Sequence, residues 1–152
     1  MKLKNTDISW QDVETACRNI ADELKDAEKF DCIVCVGRGG MIPSRLMSEH
    51  LGIKTIHLVH AHYEIKDTNK KIIVGDYNFK QFEGKNILIV DEVYQTGLSI
   101  KAVCDKIFDA CDEVCITDCT CYFNKNSKYQ PDLWAFTYDD STDWLVFPWE
   151  RK

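Results

Sequence analysis

Apolar positions alternate between two periods along this chain, and the alternation predicts its elements. Val13, Ala16, Cys17, Ile20, Ala21 and Leu24 follow the spacing of an amphipathic helix of about four turns. Ahead of them, Ser9-Trp-Gln-Asp12 has the form of a capping box. Asp31-Cys-Ile-Val-Cys-Val36 is instead a short unbroken apolar run, as in a parallel strand buried on both faces. It leads into Gly37-Arg-Gly-Gly40 and then a helical segment, Met41–Leu51, that stops at Gly52. Lys54-Thr-Ile-His-Leu-Val-His60 reads as the next strand. Residues 61–83 are charged and weakly patterned, with Ile65, Ile72, Ile73 and Val74 as their aliphatic residues, and read as a hairpin or flap outside the core. An ordered surface hairpin without closing motion fits that stretch equally well.

The pattern is sharpest in the middle. Ile87-Leu-Ile-Val90 reads as a buried strand that ends in Asp91 and Glu92. A turn-like run through Gln95, Thr96, Gly97 and Ser99 follows, and then Ile100, Val103, Cys104, Ile107, Phe108 and Cys111 at helical spacing. Asp112–Phe123 gives a further strand ending at Asn124, so helices between parallel strands make right-handed crossovers. The fold class this predicts is α/β, a mainly parallel twisted sheet flanked by helices, in a single domain over 1–152. The stretch from 130 to 152 is rich in aromatic residues, among them Trp134, Phe136, Tyr138, Trp144, Phe147 and Trp149. A frayed tail would not hold them, so it must pack, in the core or against a second copy.

Composition narrows the function classes. With 152 residues the chain suits one domain, and its net charge of −6 argues against general nucleic-acid or membrane-surface binding. No apolar run approaches transmembrane length, and the first residues lack the apolar core of a signal peptide, so a cytoplasmic protein is expected. The eight cysteines lack paired Cys-x-x-Cys spacing, and several fall inside apolar patterns, as reduced core cysteines do. His57, His60 and His62 are not spaced as metal ligands on one helix face and are expected on a strand and its edge.

Two strand–loop–helix units carry the candidate chemistry. The N–H groups of a helix's first turn can hold a phosphate without basic side chains; Gly97 allows close approach, and Thr96 and Ser99 can add hydroxyls. Carboxylates beside such a cradle would repel an anion unless they bind sugar hydroxyls, a divalent metal, or both. A phosphorylated sugar therefore fits; simple helix capping by Asp91 and Glu92 is the plainer alternative. The glycines of 37–40 leave amides free, and Arg38 supplies a positive charge for a polyanion, although such turns also occur without ligands.

Val90-Asp-Glu-Val-Tyr-Gln-Thr-Gly-Leu-Ser99 resembles the phosphoribosyl-pyrophosphate signature of type I phosphoribosyltransferases. The resemblance runs through nearly the whole chain and is nearest to the xanthine-guanine and hypoxanthine (6-oxopurine) enzymes. It implies magnesium-dependent phosphoribosyl transfer from phosphoribosyl pyrophosphate to a free base, giving a nucleoside 5′-monophosphate and pyrophosphate. Asp91 and Glu92 would hold the ribose hydroxyls, with Glu92 reaching Mg²⁺ through water. Tyr94, Gln95, Thr96, Gly97, Leu98 and Ser99 would wrap the 5′-phosphate. Gly37, Arg38, Gly39 and Gly40 would hold the pyrophosphate, with a strained, cis peptide at Gly37–Arg38. Residues 61–83 would form a lid that shields the oxocarbenium-like intermediate from water.

Trp144-Leu-Val-Phe-Pro-Trp-Glu150 is similar to the base-binding tail of those enzymes, which implies a purine stacked on Trp144 with its edge read by the backbone of Leu145. Such stacking is worth about 1–3 kcal/mol. A dimer or tetramer is also implied. Three positions depart from the family. Gln95 stands where the purine enzymes carry an aspartate near the base, and an amide cannot take its proton. Asn124, with Lys125 beside it, stands where a lysine reads the 6-oxo group. Val146 and Phe147 replace polar residues, removing contacts to the 2-position group. Two alternatives follow from these departures: a sensor that binds without turnover, or an enzyme for a non-purine base. A kinase- or aldolase-like sugar-phosphate enzyme lacks its Walker A motif and Schiff-base lysine.

Overall fold

The structure, a computed structural model, describes residues 3–26 and 29–151. Its framework is a six-stranded sheet built around the two apolar runs. Strands β2 (Cys32–Gly37) and β5 (Asn86–Tyr94) pair in parallel at its centre, with Cys35 opposite Val90. β3 (Ile56–Lys66) and β4 (Asn69–Val74) extend one side, and β6 (Cys115–Asn124) and β7 (Leu133–Tyr138) the other, in the order β4-β3-β2-β5-β6-β7. β4 is antiparallel to β3, and the other neighbours are parallel.

Helices cover both faces, which is why β2 and the Ile87–Val90 run of β5 are continuously apolar rather than alternating. Leu88 and Val90 point to one core cluster, with α1 (Trp10–Leu24) and Met47 of α2 (Met41–Leu51). Ile87 and Ile89 point to the other, with Val103 and Ile107 of α3 (Leu98–Ala110). Local chemistry sets the helix ends. Ser9 caps α1 through a reciprocal bond pair with Asp12, and Gly52 closes α2 in the left-handed conformation, φ 68°.

Two features escape the hydrophobic pattern. β1 (Lys4–Asp7) pairs in parallel with β8 (Asp143–Val146), Asn5 opposite Trp144, as a separate two-stranded sheet. Lys-Asn-Thr-Asp offers no apolar signal; its place is set by the ladder and by the Thr6 hydroxyl donating to Asp143 at 3.0 Å. The chain's ends are tied nearby, where Arg151 donates to the Ile8 carbonyl at 2.7 Å and Trp10 lies 5.7 Å from Trp149 between ring centres.

The second feature corrects the expected extent of the flap. Residues 61–74 do belong to the β3–β4 hairpin, which turns at Asp67. The segment behind it is core: Phe82, in a 3-10 turn (Phe79–Phe82), is 0% exposed and packs with Tyr77 and His57. Counting aliphatic residues alone hides this, because the burying residues are aromatic. Phe82→Ala should destabilise the protein by about 3–5 kcal/mol in urea unfolding, as an emptied core site does, whereas a residue on a loose cover would move it by less than about 0.5 kcal/mol.

Candidate active site

The parallel pairing of β2 and β5 brings both candidate loops to one edge of the sheet, at the strands' carboxyl ends, where open α/β sheets bind ligands. The first is a tight turn: Gly40 N–H donates to Val36 O at 2.9 Å, and Met41 N–H to Arg38 O at 3.1 Å. A Cβ on Gly40 would run into the Val90 and Val36 carbonyls, so only glycine lets this turn lie against β5. A Cβ on Gly39 would strike the Glu92 carboxyl, which occupies the space above it. The Gly37–Arg38 peptide is cis. Arg38 is exposed and makes no ion pair among the described residues.

The second loop begins later than the apolar run suggests. β5 does not stop at the acid pair but continues through Asp91 and Glu92 to Tyr94, its ladder to β6 holding Tyr94 opposite Phe123. α3 begins at Leu98, with Gly97 at its N-cap, φ 76°, which has no side chain of its own to cap it. Asp91 and Glu92 are therefore not helix caps, which removes the plainer reading of the pair. The buried Tyr94 ring lies under Gly97, where any Cβ would meet it. Thr96 Oγ1 accepts from the Leu98 N–H at 3.3 Å and lies 3.0 Å from the Tyr63 hydroxyl of the hairpin.

Burial makes the two carboxyls unusual. Asp91 is pushed well above the ordinary carboxyl range by burial and by the charge of Glu92, against the Glu92 N–H that donates to it at 2.8 Å. Burial and then Glu150 raise Glu92 to about 7, opposed by the Trp149 indole, and its Oε2 is buried without a hydrogen-bond partner. Both groups are poised for a ligand that brings hydroxyl donors or positive charge.

Three cavities open around this pair, and Glu92 lines all of them. The first lies between Arg38, Tyr63, Asp91 and the 95–99 loop. A second, flanked by His60 and His62, lies over the glycine turn and Met41. The third lies between Gln95, Tyr138, Leu145 and Trp144, whose ring is 54% exposed.

Most of the residues singled out from the sequence meet at these cavities; Gly40, Leu98, Asn124 and Lys125 line none of them. Asn124 is 2% exposed: its amide donates to the Gln95 carbonyl at 3.0 Å, and its Oδ1 accepts from the Asn126 and Asp140 N–H groups at 3.1 and 3.3 Å. Lys125 points its ammonium to Asp139 at 2.7 Å. Neither lines the cavity beside Trp144, which corrects their expected contact with a base. Sequence reading missed His62, Tyr63, Tyr138, Asp140, Asp143 and Glu150. The hairpin residues carried no signal beyond their place in a suspected flap, and the acidic ones none beyond their place in the aromatic tail.

Residues 3–151 match the family described as the phosphoribosyl transferase domain. The chain is 26% identical over 148 residues to the xanthine-guanine phosphoribosyltransferase of Idiomarina loihiensis, covering 94% of this chain and 85% of that one. It is 25% identical to the crystal structure of purine phosphoribosyltransferase from Pyrococcus horikoshii, with a TM-score of 0.83 over 97% of this chain and 95% of that one. The xanthine-guanine-hypoxanthine phosphoribosyltransferase of Helicobacter pylori shares the fold at a TM-score of 0.75, 21% identity, and 97% and 94% coverage. The chain belongs to the phosphoribosyltransferase family and has its type I fold. It is an enzyme of phosphoribosyl transfer.

The raised Glu92 gives a prediction with a definite sign. A carboxyl whose folded pKa exceeds its unfolded one weakens the fold once ionised: the penalty is absent below about 4.5 and complete above about 7. Glu92→Gln should therefore stabilise the ligand-free protein at pH 8 by up to about 3 kcal/mol and leave it nearly unchanged at pH 4. Unfolding titrations across pH check this; a variant less stable than the parent at pH 8 contradicts it.

Proposed function

We propose that this enzyme moves the 5-phosphoribosyl group of phosphoribosyl pyrophosphate onto a 6-oxopurine, producing a nucleoside 5′-monophosphate and pyrophosphate in purine salvage. The observation that carries the reading is the meeting of the three cavities at Glu92: a phosphate loop, a glycine turn with its arginine and a base-sized slot share one wall. The purine assignment draws support from the relatives, which are named as xanthine-guanine and purine enzymes.

In this reading the 5′-phosphate sits on the backbone of Gln95–Ser99 at the start of α3, where aligned N–H groups favour an anion. Tyr94 supports that loop from below. The ribose hydroxyls donate to Asp91 and Glu92, which ionise as they gain donors. The pyrophosphate lies over Gly37–Gly40 and Arg38. A ring nitrogen of the base, stacked on Trp144 and held at the Leu145 backbone, attacks C1; the bond from C1 to the pyrophosphate oxygen breaks, its electron pair leaves with the pyrophosphate, and the proton of that ring nitrogen passes to solvent water. The two carboxylates stabilise the positive charge that grows on the sugar between these events. Gln95 borders both the phosphate and base cavities and can hydrogen-bond the base, while its amide takes no proton.

The residues fit a Mg²⁺ ion, since Glu92 presents a buried, unpartnered carboxylate oxygen, a hard donor of the right kind. Among the described residues no three His, Cys, Asp or Glu side chains gather to cage a metal, so most ligands would come from substrate oxygens and water. When bound, the ion neutralises charge on the leaving pyrophosphate.

Ile56 and Leu58, exposed on β3, are surfaces that a second copy would cover in a dimer or tetramer. No described helix is long and apolar enough to cross a membrane, and we place the enzyme in the cytoplasm.

Pyrophosphate release from phosphoribosyl pyrophosphate and Mg²⁺ in the presence of guanine, hypoxanthine or xanthine tests the reading. Release with at least one of them is expected, and Asp91→Asn should lower kcat/KM about 100-fold. Silence with all three, alongside intact phosphoribosyl pyrophosphate binding, would overturn it in favour of a ligand sensor or an enzyme for a non-purine base.

A further inference from the structure

The hydrogen bonds of the 95–99 loop are partly spent inside the protein itself. Tyr63, on the β3–β4 hairpin, places its hydroxyl 3.0 Å from Thr96 Oγ1, and that same oxygen accepts from the Leu98 N–H at 3.3 Å. Leu98 opens α3, so its N–H is one of those an anion at this helix start would take. We propose that Tyr63 is a lock on the phosphate loop: it holds the Thr96 hydroxyl over the start of α3, and the 5′-phosphate binds only by breaking the Tyr63–Thr96 contact. The inference rests on the phosphoribosyl-transfer reading and adds the contact that opposes its binding step.

The fold delivers Tyr63 to this place. β2 accompanies β3 only as far as His60, which lies opposite Gly37. Beyond that point β3 runs on to Lys66 with β4 as its partner, so the two strands form an arm at the sheet edge. The arm is fixed at its base, where the Gly75 N–H donates to the His60 carbonyl at 2.8 Å. Tyr63, opposite Ile72 on this arm, borders both the phosphate cavity and the cavity over the glycine turn. Behind its ring, the Lys70 ammonium lies 3.7 Å from the ring centre, a cation–π contact that holds the ring in place. Lys70 makes no ion pair among the described residues that would draw it away.

Hydrogen-bond geometry makes this contact one of the free protein. A phosphate oxygen that accepts from the Leu98 N–H takes the place Thr96 Oγ1 now fills, so the threonine hydroxyl must turn to donate to the phosphate and leaves Tyr63 behind. A contact made only in the free state lowers the apparent affinity by the fraction of molecules in which it is open. For one neutral hydrogen bond at a partly exposed place, that factor is about two to five. The price falls on association, since the lock is broken on the way in and absent from the complex.

Tyr63→Phe keeps the ring, and with it the Lys70 contact, and removes only the hydroxyl. Because Tyr63 is 38% exposed, the variant leaves no emptied core site behind. Stopped-flow measurement of phosphoribosyl pyrophosphate binding in the presence of Mg²⁺, on the parent and this variant, tests the lock. The variant should associate about two- to fivefold faster, dissociate at the parent's rate and so bind tighter by the same factor. A merely structural role for the hydroxyl would weaken binding or leave it alone. Unchanged affinity overturns the inference while leaving phosphoribosyl transfer intact. Weaker binding also overturns it, and makes the Tyr63 hydroxyl a ligand of the substrate. A gain that lies wholly in slower dissociation overturns it too, because the hydroxyl would then act in the complex. If neither protein binds phosphoribosyl pyrophosphate, the functional reading itself fails and the lock falls with it.

Discussion

Two adjacent carboxyl groups at the end of an otherwise apolar central strand are the constraint that organises this protein. β5 buries Ile87, Leu88, Ile89 and Val90 between two helical layers and then carries Asp91 and Glu92 to the sheet edge without leaving the ladder. A strand fixed on both sides cannot let these groups swing into water, so burial raises the pKa of both, helped by the charge of Glu92 at Asp91 and of Glu150 at Glu92. The neighbouring loops accommodate the pair: Gly39 leaves room for the Glu92 carboxyl, and Gly40 lets the turn press against the Val90 carbonyl. A ligand that brings hydroxyl donors or positive charge would offset the cost of holding two acids there.

The chain's two ends complete what the sheet begins. β1 and β8 form their own ladder, and the aromatic residues around it, Trp10, Phe147 and Trp149, anchor the wall that carries Trp144 and Asp143. Asn124 joins this wall to the phosphate loop, since one buried amide bonds both the Gln95 carbonyl and the Asp140 N–H. The cavity beside Trp144 and the 95–99 loop thus share a buried polar joint.

How much of this the sequence discloses depends on whether a residue acts through its own neighbours or through distant ones. The buried strands, the α1 capping box and the stop at Gly52 are local effects, and all are legible from spacing. The acid pair and the Thr-Gly turn are likewise contiguous, so they are visible as a motif. β1 is invisible because its polar residues are ordered by a ladder to residues near the other end of the chain. The meeting of Asp140, Asp143 and Glu150 at the cavity beside Trp144 is invisible for a similar reason, since they come together only after β7 and β8 turn back. Asn124 shows a third limit: its position in the chain pointed to a base-reading residue, while the hydrogen bonds turn it into a tie between loops. Phe82 was lost to a count that left out aromatic residues.

A crystal structure of the protein with a purine nucleoside 5′-monophosphate tests the account of the site most directly. It should show the phosphate on the backbone of Thr96–Ser99, the ribose hydroxyls within hydrogen-bond distance of Asp91 and Glu92, and the purine against the Trp144 ring. A nucleotide bound elsewhere, or one whose ribose leaves both carboxyls untouched, would contradict it.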